Sequence, residues 1–411
     1  MKHPYFKIYC CLLIGVVVSC GKKDSTLFEK TDSIPFANTL MPTDSLNAFT
    51  FTNFYNGGGV GIGDFNHDSL PDVYFTGNQV SSALYLNEGD FKFKDITQIA
   101  GVTTDRWCTG VSIVDINQDG WDDIYLSVAK HPAFKDSRNL LFVNQRTPEP
   151  TFKEEAEAYG LAYEGFTTQT AFLDYDLDGD LDAFLLNTAP DVQNPNNLRP
   201  AINNGTYPST DRLFRNEGPD ATGQIRYRDV SQQAGIRYEG LGLGVVVSDL
   251  NDDGYPDIYC SNDFISSDVL YLNNQDGTFR NVISEATAHT SLYGMGVDAA
   301  DLTNDLKVDI LQMDMLPEDN FRQKQMLAGQ DYDRKEMSIS PRYNYQLQYM
   351  RNTLQVNVGT NPQTGAPEFS EMGLLAGVAR TDWSWATLLA DYDNDGRKDV
   401  FITNGYRKNI T

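Results

Sequence analysis

One nine-residue pattern, Asp-x-[Asp/Asn/Thr]-x-Asp-[Gly]-x-x-Asp, returns six times along this chain. Recurrence at intervals of tens of residues means one small unit repeated, and this constrains the fold more tightly than anything else in the sequence. The first copy is carried by Asp64, Asn66, Asp68 and Asp72, the second by Asp115, Asn117, Asp119 and Asp123. Asp174, Asp176, Asp178 and Asp182 make the third, and Asp249, Asn251, Asp253 and Asp257 the fourth. The fifth has Asp301, Asp305 and Asp309 with Thr303 at position 3, and the sixth is Asp391, Asp393, Asp395 and Asp399.

Oxygen ligands at positions 1, 3 and 5 of a tightly curled loop converge on one hard cation, and an aspartate at position 9 closes the shell. Position 7 adds its backbone carbonyl, and a glycine at position 6 permits the positive φ of the sharp turn. Calcium suits this set best, because it accepts six to eight oxygens in flexible geometry, whereas magnesium demands a stricter octahedron. Zinc is disfavoured, since the only His or Cys in the loops is His67 at a non-ligand position. Two loops depart from the pattern. Ser69 stands at position 6 of the first, and the fifth combines Thr303 with Leu306, so low affinity is expected there.

An EF-hand is excluded, because its loop runs twelve residues to a glutamate between helices. Here each loop lies between short apolar runs, such as 110–114 before the second copy and 124–127 after it. The metal loop is therefore the turn of a β-hairpin. A second unit follows most copies: Leu84 to Asn87 with Phe93 to Asp95, then its counterparts ending at Asn144, Asn216, Asn273 and Asn357. Apolar runs around a polar turn make another hairpin, so each unit supplies four strands. Motif starts lie 51, 59, 75, 52 and 90 residues apart, which matches propeller blades plus insertions. The expected fold is all-β, a β-propeller of four-stranded blades.

This order of strand, aspartate loop, strand and Leu-[Tyr/Phe]-x-Asn hairpin resembles the FG-GAP/VCBS repeats of integrin-α-type propellers, over about residues 51–411. The resemblance implies a seven-bladed, calcium-stabilised propeller on secreted or surface proteins, commonly used for adhesion or ligand binding. The stretch from Asp314 through Leu354 also resembles large VCBS lipoproteins of Bacteroidetes type, which continue further. Six loops are visible and no second hairpin follows the sixth. Either residues 36–56 supply closing strands, or the chain is the first part of a longer protein; the second is the expectation.

Residues 1–19 read as an export signal: Lys2 and Lys7 precede an apolar run too short to span a bilayer. Val17-Val18-Ser19-Cys20 resembles a lipobox, which makes Cys20 the candidate lipid anchor, followed by a tether to about residue 50. An outer-membrane, surface-exposed lipoprotein is expected. Beyond the leader and that anchor only Cys108 and Cys260 remain, too few for a disulfide framework, and Cys260, inside the apolar run Ile258-Tyr259-Cys260, is expected to be a buried free thiol.

Residues 316–350 break the strand pattern, with a helix-compatible start and a cluster of aromatic and basic residues. Tyr343, Tyr345 and Arg342 from this insertion are candidate ligand contacts, as are Trp383 and Trp385, although packing between blades is the favoured reading of the tryptophans. A second insertion spans 190–210. The net charge of −25 argues against nucleic acid, which needs clustered cations. Twenty of the 57 carboxylates sit at positions 1, 3, 5 or 9 of the loops, so much of the acid is a set of cation sites. No catalytic motif stands out. The expected role is binding or adhesion towards an extracellular glycan or protein, and a lyase-like polysaccharide enzyme is the alternative.

Overall fold

The structure is a computed structural model that describes residues 27, 28, 30–188, 199–264, 266–326 and 343–405. Cys20 and Arg342 lie outside the described residues. Two compact units divide the chain at Thr31/Asp32, and everything below concerns the second.

Five four-stranded antiparallel sheets follow one another along the chain, each with its strands in sequence order from first to fourth. Blade 1 is Val60–Gly63, Asp72–Phe75, Ala83–Asn87 and Phe93–Asp95; blade 2 is Cys108–Val114, Asp123–Val128, Leu140–Asn144 and Phe152–Glu154. Blade 3 comprises Thr167–Leu173, Asp182–Asn187, Arg212–Pro219 and Ile225–Asp229, and blade 4 Gly242–Ser248, Asp257–Asn262, Val269–Asn273 and Phe279–Asn281. Blade 5 is Val297–Ala300, Asp309–Gln312, Thr353–Thr360 and Pro367–Glu371. A two-stranded sixth sheet, Ser384–Ala390 with Asp399–Asn404, ends the row. The all-β propeller architecture is thus present. Residues 32–59 contain no strand. Instead Phe36 stacks on Phe75 at 4.9 Å, and Phe51 and Phe54 pack on Trp107, so this stretch lies over blades 1 and 2.

Successive blades meet through their first strands, which pack on one another in chain order. The second strands are buried along their whole length in blades 2 to 5, as expected for sheets covered on both faces. Glycine makes the close approach possible. A Cβ on Gly110 would lie 2.7 Å from the Thr168 carbonyl oxygen, and one on Gly296 would lie 2.6 Å from that of Trp385. The two end blades each keep one uncovered flank. Val60 and Ile62 are exposed on blade 1, and Leu388, Val400 and Phe401 on the sixth sheet.

A one-turn helix follows the fourth strand in each of the five complete blades, and four of the five end on a left-handed glycine: Gly101, Gly160, Gly235 and Gly377. The insertion carries a helix at Asn320–Met326, where the sequence permits one. Cys108 and Cys260 are buried free thiols, the second as expected.

Antiparallel order alternates the connections between two ends of the blades. The aspartate loops join first to second strands, so all six lie at one end, together with the third-to-fourth turns. The second-to-third connections lie at the other, and both long insertions (188–211 and 313–352) are of this kind.

Candidate metal centres

The six loops share one backbone design. Position 6 is left-handed in all of them, with φ of 67° at Ser69, 72° at Leu306 and 87–93° at the four glycines. Position 4 is left-handed too, at His67, Gln118, Leu177, Asp252, Asn304 and Asn394. The sequence reading expected the first and missed the second, because these six residues share no chemistry. Two left-handed residues flanking position 5 curl the chain so that its N–H groups point inward.

Those N–H groups fix the carboxylates. In every loop the position-1 aspartate accepts the N–H of residue 5 on Oδ1 and that of residue 6 on Oδ2. In the second loop these are Asp119 and Gly120 to Asp115, at 2.9 and 2.8 Å. In the sixth they are Asp395 and Gly396 to Asp391, at 3.0 and 2.8 Å. Position 5 accepts the N–H of residue 7, as Asp253 does from Tyr255 at 2.9 Å. Position 9 accepts the N–H of residue 2, as Asp257 does from Leu250 at 3.0 Å.

The position-9 aspartates are the buried members. Asp72, Asp123, Asp182 and Asp257 are at most 1% exposed, and none forms an ion pair with Lys or Arg among the described residues. Burial, aided by the other loop carboxylates, pushes Asp72 up to about 6, Asp123 and Asp257 to about 7 and Asp182 to about 8, against the opposing effect of their backbone donors. Each is a buried carboxylate without a compensating positive charge. The donor set fits a hard cation at this point. Asp174, Asp176 and Asp182 bring carboxylate oxygens within 4.8 Å of one another, as do Asp391, Asp393 and Asp395. The position-3 oxygens Asp176 Oδ1 and Asn251 Oδ1 are buried with no hydrogen-bond partner. In the fifth loop Lys307 Nζ lies 3.2 Å from Asp305 Oδ2, occupying an oxygen a cation would need.

The asparagine of the third strand is the residue whose role the sequence did not disclose. Its backbone N–H donates to the second oxygen of the position-9 aspartate in all five complete blades, at 2.7–2.9 Å. In blades 2, 4 and 5 its side chain reaches the preceding blade, whereas Asn216 in blade 3 stays on Leu181 of its own blade at 3.4 Å. Asn144 Nδ2 donates to the Phe65 carbonyl in the first loop (3.0 Å), Asn273 to Tyr175 in the third (2.8 Å) and Asn357 to Leu250 in the fourth (2.8 Å). Loops also touch directly: His67 stacks on Trp121 at 3.8 Å, and Gln118 Nε2 donates to the Gly179 carbonyl at 2.7 Å. Recurrence of Leu-x-x-Asn was the available signal; its partner lies one blade away in space.

The FG-GAP-like repeat model matches residues 64–126 and 249–311, each span running from one aspartate loop through the next. The chain carries FG-GAP-like repeats. Human cartilage acidic protein 1 is 26% identical over 288 residues, covering 67% of this chain, and the chain spans 41% of that relative's length. Among solved structures, an Agrocybe aegerita lectin that recognises non-reducing terminal N-acetylglucosamine aligns over 83% of this chain and 73% of its own, with 15% identity and a TM-score of 0.43. The Vibrio cholerae biofilm matrix protein Bap1 aligns over 75% and 38%, with 12% identity and a TM-score of 0.35. The exotype rhamnogalacturonan lyase YesX aligns over 76% and 56%, with 12% identity and a TM-score of 0.34.

The candidate ligand residues separate. Tyr345 lines a pocket at the end of the blades opposite the loops. Tyr343 sits beside it, its carbonyl accepting the Ala201 N–H at 3.0 Å. Trp385 packs in an apolar cluster with Met295 and Leu311, and its carbonyl accepts the Gly296 N–H at 2.8 Å. That is the blade-packing role weighed for it from sequence.

Proposed function

We propose that this chain is a calcium-stabilised propeller that acts as a binding module, tethered to the outer membrane through Cys20 and directed at an extracellular glycan or protein. The observation that carries the reading is the segregation of the two ends. One holds six curled loops, five of them with a buried position-9 carboxylate that lacks an ion pair among the described residues; the other holds both insertions and the pocket between them. When bound, calcium supplies the positive charge that the position-9 carboxylates lack and ties positions 1, 3, 5 and 9 together. Asn144, Asn273 and Asn357 then transmit the rigidity of the first, third and fourth loops to the neighbouring blade. Ligand recognition falls to the insertions, since loops on a rigid scaffold carry specificity while the repeat carries stability.

Binding is favoured over turnover because the loop carboxylates are held by backbone N–H groups in a structural arrangement, not poised as an acid–base pair. The test is to incubate calcium-loaded protein with a panel of neutral and acidic glycans, following binding by calorimetry and lyase product by ultraviolet absorbance. Saturable binding without an unsaturated product is the expected result. A steady rise in absorbance with any acidic glycan contradicts it.

A further inference from the structure

Three second-to-third connections from neighbouring blades are stitched together over blade 4. The Ala201 N–H donates to the Tyr343 carbonyl across the two insertions, and the Gln346 N–H donates to Ser267 Oγ in blade 4 at 2.7 Å. The Glu239 N–H donates to the Ile202 carbonyl at 2.9 Å, drawing in the connection that leads to blade 4. Ordering such long connections costs conformational entropy, which these cross-links between blades offset. They line a half-open cavity of about 180 Å³.

The walls carry little net charge. Arg199 meets the Glu239 carboxylate through both terminal nitrogens, at 2.6 and 2.5 Å, and lies over the Tyr207 ring. The buried Asp268 carboxylate is taken up by the Asn262 N–H (2.8 Å), Gln312 Nε2 (3.0 Å) and the Tyr259 hydroxyl (2.7 Å). What remains are hydroxyl and amide groups, from Ser267, Asn281 and Asn344, beside the rings of Tyr238 and Tyr345. Tyr345 Oη is buried with no hydrogen-bond partner. Neither a cation nor an anion is called for. Hydroxyls and amides set against aromatic faces suit a neutral polyhydroxylated ring, which offers donors and acceptors at its rim and an apolar C–H face. The volume is below the roughly 300 Å³ at which pockets for drug-sized ligands begin, so the cavity admits one ring and not a run of them.

We infer that this half-open cavity, lined by the two insertions over blade 4, binds a single neutral sugar ring at the end of a glycan. The inference rests on the binding-module reading and specifies where that module binds and what. It is tested on the full, calcium-loaded chain with methyl glycosides of glucose, galactose, mannose and N-acetylglucosamine, by saturation-transfer NMR and calorimetry. At least one glycoside binds. Tyr345→Phe, which removes only the unpartnered hydroxyl, weakens it about tenfold. Ser284→Trp, placed at an exposed wall position, abolishes it, while neither variant lowers the melting temperature by more than about 1 °C, since one removes an unpartnered hydroxyl and the other changes an exposed residue. Glycoside binding indifferent to both variants overturns the inference, as does binding confined to peptide probes or absent altogether. Those failures leave a calcium-dependent melt intact, whereas a melt indifferent to chelation removes the calcium reading and leaves the pocket result standing.

Discussion

The third-strand asparagine that links blades 2, 4 and 5 to the blade before offers the sharpest perturbation, because the fold supplies its own control. Asn144 is 2% exposed. Its side chain donates to the Phe65 carbonyl at 3.0 Å and the Asp122 carbonyl at 3.2 Å, and accepts the Arg146 N–H at 3.0 Å. Asn144→Ala strands the buried Phe65 carbonyl, at about 1–3 kcal/mol, and removes two part-buried hydrogen bonds worth about 0.5 kcal/mol each, so a loss of about 2–4 kcal/mol is expected. Asn87 occupies the same position in blade 1, but its Nδ2 reaches only Pro71 of its own blade, at 3.1 Å, and it is partly exposed. Water replaces much of what Asn87→Ala removes, leaving about 0.5–1.5 kcal/mol. At about 2 °C per kcal/mol, the lower end for long domains, these become melting-temperature drops of about 4–8 °C and 1–3 °C. Both variants are measured by differential scanning fluorimetry at saturating calcium. Equal drops would refute the idea that the side chain acts between blades.

Other substitutions test the backbone design and the buried acids. Ser69→Gly and Leu306→Gly each relieve a non-glycine residue at positive φ and raise stability by about 0.5–1 kcal/mol, read as a higher urea midpoint. Gly110→Ala places a Cβ 2.7 Å from the Thr168 carbonyl oxygen of the next blade and lowers stability by about 1–3 kcal/mol, seen in the same assay. Burial raises Asp268 to about 7, so the native state keeps a proton there that the unfolded chain has lost above about pH 4. The stability from that difference is complete below pH 4 and is lost as pH rises through 7. Asp268→Asn therefore flattens the fall in melting temperature between pH 4.5 and 8, and a variant with the parent's pH profile would contradict this.

Much of the architecture was legible because the repeat encodes it locally. The aspartate spacing marks the turn, and the apolar runs on either side mark the strands it joins. The left-handed position 4 stayed hidden, since it is a conformational demand met by residues as unlike as His67, Leu177 and Asp252. The asparagine clamp stayed hidden because its acceptors, Phe65, Tyr175 and Leu250, lie 79, 98 and 107 residues away in sequence. The pocket was half visible. Tyr345 was singled out as an aromatic residue in an insertion, but Tyr238, Glu239 and Ser267 come from connections with no motif of their own, brought together only by packing.

The central claim is that the six loops are cation sites that hold the blades in register. The most direct measurement is thermal melting of calcium-loaded protein before and after chelation with EDTA. Each site filled at a calcium concentration a hundredfold above its dissociation constant adds about 2.7 kcal/mol, so five working loops predict a fall of ten degrees or more, restored by added calcium. A melting temperature unchanged by chelation would contradict the account.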